Sequence, residues 1–222
     1  MPNNVKPRRY NSTHRKDAAA ATRRRILESA SELFQAEGYT ATTVAAIAER
    51  ARVATDTVYA AVGTKPALFR ELIETALSGT DRPIEGRERD YAIRIQAEPD
   101  AGGKLAIYAD AVTTLQTRLA PLFLVLREAS AAHPELGELW RHITERRARN
   151  MRELAADLIA TGSVRSDLTL AEVADIIWTM NSAEYYALLV LDRSWSPDRF
   201  SRWLHDAWTR LLLDQPHTPS SR

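Results

Sequence analysis

Residues 42–65 read TTVAAIAERARVATDTVYAAVGTK, and their spacing predicts two very short helices joined by a tight turn. Val44, Ile47, Ala48 and Ala51 fall at i, i+3, i+4 and i+7, which is one face of a helix of about two turns. Thr43 is placed to cap it, while Ala46 three residues on leaves no partner for a capping box. After a break at Arg52 and Val53, a second helix is expected from Thr55 to Ala61, capped by Thr55. Val58 and Val62 are its one sizeable apolar pair. Thr55, Asp56, Thr57, Tyr59 and Ala60 then face outward on a helix too brief to be stable by itself. A short helix anchored along one edge, with a polar outer face, suits a groove.

Working outward, Ile26, Ala30, Leu33 and Phe34 predict a helix over 18–37 that stops at Gly38. Thr64 caps a further helix through KPALFRELIETALS, with Pro66 in the first turn, Leu68, Leu72 and Ile73 on the buried side, and Gly79 at its end. Beyond a polar linker, GTDRPIEGRERD, amphipathic segments are predicted near 86–97, 101–132, 135–161, 169–192 and 197–213. The tail, DQPHTPSSR, is polar with two prolines and reads as frayed. With no internal repeat and no convincing strand alternation, the fold class is all-α.

Charge divides the chain where the helix pattern does. Residues 1–70 carry 12 Lys and Arg against 6 Asp and Glu, whereas residues 71–222 carry 18 against 23. A basic N-terminal part beside a mildly acidic remainder suits a protein that meets polyphosphate with one end. Two readings of the arm KPRRYNSTHRK stand side by side: a solvated basic tail, or an arm whose Arg8, Arg9 and Arg15 reach an adjacent minor groove. With no cysteine among 222 residues, disulfides, thiolate metal sites and cysteine nucleophiles are excluded. The N-terminus lacks the apolar run of a secretory signal, and APLFLVL and YYALLVL fall well short of the roughly 18 residues of a membrane span. A cytoplasmic protein without membrane association is the expectation.

The succession FQAEGYTATTVAAIAERARVATDTVYAAVGTKPALF, with its GY after the first helix, T-T-V-x-x-I-A, T-V-Y and G-T-K-x-x-L-F, resembles the N-terminal DNA-binding domain of TetR-family transcriptional regulators. HPEL and WSPDRFSRWLHDAWTRLLL are similar to C-terminal regions of the same family. The resemblance implies an N-terminal three-helix helix-turn-helix domain, here 1–70, followed by a helical ligand-binding and dimerisation domain, 71–222. It also implies a homodimer that sets the second helix of each motif into a major groove of a double-stranded DNA operator. Thr43, Thr57, Tyr59 and Lys65 match positions that touch phosphates, and base readout would rest on Thr55, Asp56 and Ala60. For Asp56 a plain helix-dipole role competes with readout. Three departures from the family pattern are Arg52 in place of glycine, Ala54 in place of a serine cap, with the cap expected to move to Thr55, and small residues at 61 and 62.

The second domain yields softer expectations. Tyr108, Val112, Leu115, Phe123 and Trp178 offer apolar surface, and Arg127, Asn181 and Tyr185 add polar tips, a mixture that suits a pocket for a small apolar or aromatic effector. The same residues also suit an ordinary core, and Asn181-Ser182 reads equally as a helix break capped by Ser182. Phe200, Trp203, Leu204, Ala207, Trp208 and Leu211 form a wide stripe on the last helix, read with 183–192 as a four-helix dimer interface; an ordinary core helix is the competing reading. Enzyme signals fail: in EPDAGGKL, Glu98 stands where a phosphate loop needs its first glycine and Leu105 where it needs Ser or Thr. The five histidines show no metal spacing, and no cofactor is expected. The function expected is a ligand-responsive repressor, with an activator of the same fold or a ligand-free DNA-binding scaffold as alternatives.

Overall fold

The computed structural model describes residues 10–78 and 89–214, with side chains from 15 onward in the first helix. The chain divides into two compact units, Met1–Leu72 and Ile73–Arg222. Ten α-helices carry the described residues: α1 (Tyr10–Ala41), α2 (Val44–Ala51), α3 (Thr55–Val62), α4 (Lys65–Ser78), α5 (Asp90–Ala97), α6 (Ala101–Ala129), α7 (Pro134–Ala160), α8 (Leu170–Met180), α9 (Ala183–Tyr186) and α10 (Pro197–Leu212). One isolated bridge, Val164 with Leu213, is the sole β feature among them. None of these helices is long and apolar enough to cross a membrane. Arg8 and Arg9, most of the linker and the polar tail lie outside the described residues.

In the first unit α1 starts eight residues before the expected position, and its regular backbone ends at Gly38, where φ is 79° and ψ 169°. That conformation is strained for any residue with a Cβ, which is why glycine stands there. The turn that follows folds Tyr39 back, stacked on Phe34 at 5.6 Å, with Phe69 edge-on to both at 4.9 and 5.2 Å. With these rings, Ile26, Ala30, Ile47, Val58 and Leu68 are buried. α1 packs on α2 and α3, which pack on each other.

The tight turn works without its usual glycine. Arg52 takes the left-handed conformation, φ 54° and ψ 50°, and its N–H reaches the Ala48 and Glu49 carbonyls. An L-residue there costs about 1–2 kcal/mol, and the burial of Ile47, Ala48 and Ala51 on one side and Val58 and Val62 on the other holds it. The cap of α3 differs from expectation. Thr55 is the first helical residue, and Ala54 is the cap with no side-chain hydrogen bond. Extended backbone at Ala54 (φ −71°, ψ 149°) sets the start of the helix; Thr55 is already inside it. Ala54→Ser is therefore expected to raise stability by about 0.5–2 kcal/mol, by supplying the missing acceptor. Denaturant titration checks this, and no gain would mean the α3 amides already have another partner.

In the second unit α6 is the central helix, packed by α5, α7, α9 and α10, with α8 lying against α7 and α10. The expected helix over 169–192 is interrupted. Asn181 ends α8, Ser182 caps α9 by accepting from Tyr185 N–H, and Ala187–Leu191 continue as a π-helical turn. The Gly-Gly-Lys stretch is a helix start rather than a phosphate cradle. Asp100 accepts the Gly103 N–H at 2.8 Å. A Cβ on Gly103 would come within 2.6 Å of Glu98. Lys104 Nζ is turned inward, donating to the Ile95 carbonyl at 2.6 Å and to Asp157 at 2.8 Å.

Candidate functional site

Two sites emerge, one in each unit. In the first, α2, the turn and α3 bury one edge and leave Thr55, Asp56, Tyr59 and Ala60 exposed, with Thr57 half-buried between them. Tyr59 is 51% exposed, which is unusual for so large a ring without a partner to cover it. Thr43 caps α2 by accepting from Ala46 N–H at 3.1 Å. This use of the oxygen as an acceptor leaves its hydroxyl hydrogen free to donate to an anion. Lys65 is half-buried, its ammonium 4.2 Å from the centre of the Tyr39 ring and donating to the Thr40 carbonyl at 3.4 Å. Burial pulls its pKa below the usual lysine value. The first helix and its neighbours thus hold Lys65 in one place, with donors to spare.

Two other cations of this unit are committed elsewhere. Arg50 pairs with Glu32 at 2.7 Å, and Arg23 pairs with Glu71 while donating to the Ala61 carbonyl at the end of α3. Arg52 is exposed in the turn beside α3, a cation absent from the residues singled out by sequence. The departure from glycine at 52 was the available signal. Arg15 is exposed on α1.

The second unit contains a cavity of about 520 Å³, within the range that takes small organic ligands. Its walls follow helical spacing. α6 contributes Tyr108, Val112, Leu115 and Gln116; α7 contributes Ile143, Arg147, Met151 and Leu154 together with the polar Arg146, Asn150, Glu153 and Asp157; α5 adds Tyr91 and Ile95, and Leu77, Arg89 and Asn181 also line it. Tyr108, Val112, Leu115 and Asn181 are thus brought together as the sequence suggested. Asn181 donates to the Tyr108 hydroxyl at 2.7 Å, and Gln116 donates to the Asn181 carbonyl at 2.6 Å. Burial raises the Tyr108 pKa well above the ordinary phenol value, with Tyr91 adding to it, so the ring stays neutral. Gln116 Oε1 and Asn181 Oδ1 are buried with no hydrogen-bond partner among the described residues.

Four sequence candidates lie outside this wall. Phe123 packs on Trp140, ring centres 4.7 Å apart. Arg127 is exposed and ion-paired with Glu184. Trp178 is covered by the Arg147 guanidinium at 4.3 Å, and Tyr185 packs against Trp203 at 5.2 Å. Phe123, Trp178 and Tyr185 each pack on a neighbouring helix and Arg127 is a surface ion pair, so helical spacing alone selected core and surface residues along with cavity residues. Arg147 was the largest omission. Its signal was an arginine in line with Ile143 and Met151 at i and i±4 on α7.

The stripe on α10 also separates. Phe200, Leu204 and Trp208 are fully buried within their own unit, Phe200 against Tyr186 and Trp208 stacked on Tyr108 at 5.6 Å. Within this unit they are core. Trp203 and Ala207 are half-buried and Leu211 is 42% exposed. Leu188 and Leu191, on the π-helical turn that packs against α10, are also exposed.

Residues 26–72 match the family model described as bacterial regulatory proteins, tetR family. No curated protein sequence matches the chain significantly. Among solved structures, NalD, the secondary repressor of the MexAB-OprM multidrug efflux pump in Pseudomonas aeruginosa, superposes with a TM-score of 0.70 at 21% identity, covering 90% of this chain and 100% of its own. The MbdR regulator from Azoarcus sp. CIB gives 0.68 at 21% identity over 87% of this chain and 100% of its own. GusR of Salmonella enterica gives 0.59 at 21% over 86% and 95%. At such identities the likeness is one of fold, and it extends across both units.

Proposed function

We propose that the chain, whose residues 26–72 match the TetR-family model, is a ligand-responsive repressor that binds an inverted-repeat operator as a homodimer. The observation that carries this reading is α3, a two-turn helix packed along one edge with Thr55, Asp56, Tyr59 and Ala60 turned to solvent. Thr43, Thr57, Tyr59 and Lys65 would hold phosphates, and Thr55, Asp56 and Ala60 would meet base edges, where Thr and Ala suit a thymine methyl and Asp a cytosine amino group. The repressor named among the structures of like fold favours repression as the mode of control.

The 520 Å³ cavity supports the ligand response. Leu77, in its wall, sits on α4, the helix that carries Lys65 at its start. An effector that binds one arrangement of this helix better than the other shifts the operator affinity by that difference in binding free energy. The dimer would form through α10 and the turn before it, using Trp203, Ala207, Leu211, Leu188 and Leu191, since Phe200, Leu204 and Trp208 serve the core.

Gel-shift titration at several salt concentrations tests the DNA assignment. Lys65→Ala is expected to weaken binding to all duplexes alike and to reduce the salt slope by about one, and Tyr59→Phe to weaken it uniformly and less. Substitution of Thr55 or Ala60 is expected instead to change which base is preferred. Failure to select any sequence from a pool of random duplexes would defeat the proposed function.

A further inference from the structure

We propose that the cavity of the second unit takes an organic carboxylate, its anionic end held by Arg147 and its apolar body lying against Val112, Leu115, Ile143, Met151 and Leu154. The proposal rests on the reading of this cavity as the effector site and adds the chemical class of the effector.

Its ground is an unbalanced charge. Arg147 is half-buried on α7 in the cavity wall, its Cζ over the Trp178 ring at 4.3 Å from the centre, with Nη2 donating to the Trp178 carbonyl at 3.2 Å. A guanidinium has five N–H donors. Nε is buried with no hydrogen-bond partner, and no carboxylate lies within ion-pair distance of Arg147 among the described residues. Three other charges nearby are already matched, and Glu153, also in the wall, is not free. Asp157 is held by Lys104 at 2.8 Å, Arg146 faces Glu74 at 3.7 Å, and Glu184 is ion-paired with Arg127. Arg89, also in the wall, has a buried Nε without a hydrogen-bond partner.

A half-buried cation with no ion-pair partner is unfavourable unless an anion meets it. Burial already pulls the Arg147 pKa down, and Tyr108 and Glu184 offset that in part. The planar fork, held over the Trp178 ring and by its carbonyl, suits bidentate binding of a carboxylate. Neutral and cationic ligands of the same shape would leave the guanidinium without its partner.

Tryptophan fluorescence of the full-length protein reads the outcome, because Trp178 is in contact with Arg147. Two sets of isosteric probes serve: 2-naphthoate, 2-naphthylmethanol and 2-naphthylmethylamine, and octanoate, octanol and octylamine. The carboxylate of at least one set is expected to bind about tenfold or more tighter than its alcohol, with the amine weakest. Arg147→Gln is expected to erase that difference, and Arg147→Lys, which keeps the charge without the fork, to restore part of it.

Equal affinity for the three charge types, an anion preference that survives in folded Arg147→Gln, or no binding of any probe overturns the proposal. A folded state is checked by circular dichroism; should Arg147→Gln fail that check, the probe series on the unaltered protein and on Arg147→Lys still decides. Carboxylate binding that leaves the operator complex intact would sustain this proposal and defeat the ligand-responsive reading above, so the two fail separately.

Discussion

Replacing Leu188 and Leu211 together by glutamate is expected to leave a folded monomer whose operator affinity has dropped about 100-fold or more, because the second half-site is then no longer bound intramolecularly. Both side chains are exposed, 57% and 42%. They lie on elements that pack on each other, the π-helical turn and α10. Exposed leucines contribute little to the subunit core, so helical content should persist. Two glutamates in an apolar interface, in contrast, have no cation to meet when a copy of the same face approaches. Light scattering at micromolar concentration, with circular dichroism alongside, reads the mass and the fold together. A dimeric mass for the double variant would place the interface on another face of the second unit.

Trp208→Ala is expected to lose about 3–5 kcal/mol of stability, the range for emptying a large aromatic site in a packed core. Trp208 has no exposed surface and stacks on Tyr108, whose hydroxyl anchors Asn181 at the cavity wall. Removal of the indole therefore takes away core packing and one support of the cavity. Denaturant unfolding of the protein measures the loss. Leu204→Val, a smaller deletion on the same buried stripe, is expected to cost about 1 kcal/mol and keeps the comparison available if the alanine variant is too unstable to handle. A loss below 1 kcal/mol for Trp208→Ala would contradict its place in the core.

Sequence by itself carried the helical architecture, because helix faces and helix ends are written locally. The 3.6-residue recurrence of Val44, Ile47, Ala48 and Ala51, the cap at Thr43, the stop at Gly38 and the cap at Ser182 all act within a few residues of themselves. The outward face of α3 was equally legible, since a helix of eight residues with one apolar edge has only one way to pack. Even the turn at Arg52 was marked, as a place where glycine's freedom was missing, though only the fold decided that arginine would adopt the left-handed conformation anyway.

Tertiary structure decided which apolar surface meets which partner. Phe200 and Trp203 are both large and aromatic and sit one turn apart, yet the first is sealed against Tyr186 and the second is half-open beside Tyr185. Composition cannot separate a core stripe from an interface stripe, because both are buried by removing apolar area from water, and that free energy has no direction. The cavity has the same origin. Whether Val112 or Phe123 borders empty space depends on how closely α5, α7 and α8 approach α6, which is a property of side chains far apart in the chain. The spacing on α7 marks Arg147 as inward-facing, but its lack of an ion pair was decided by the fold, in which Asp157 and Glu184 pair with Lys104 and Arg127 instead.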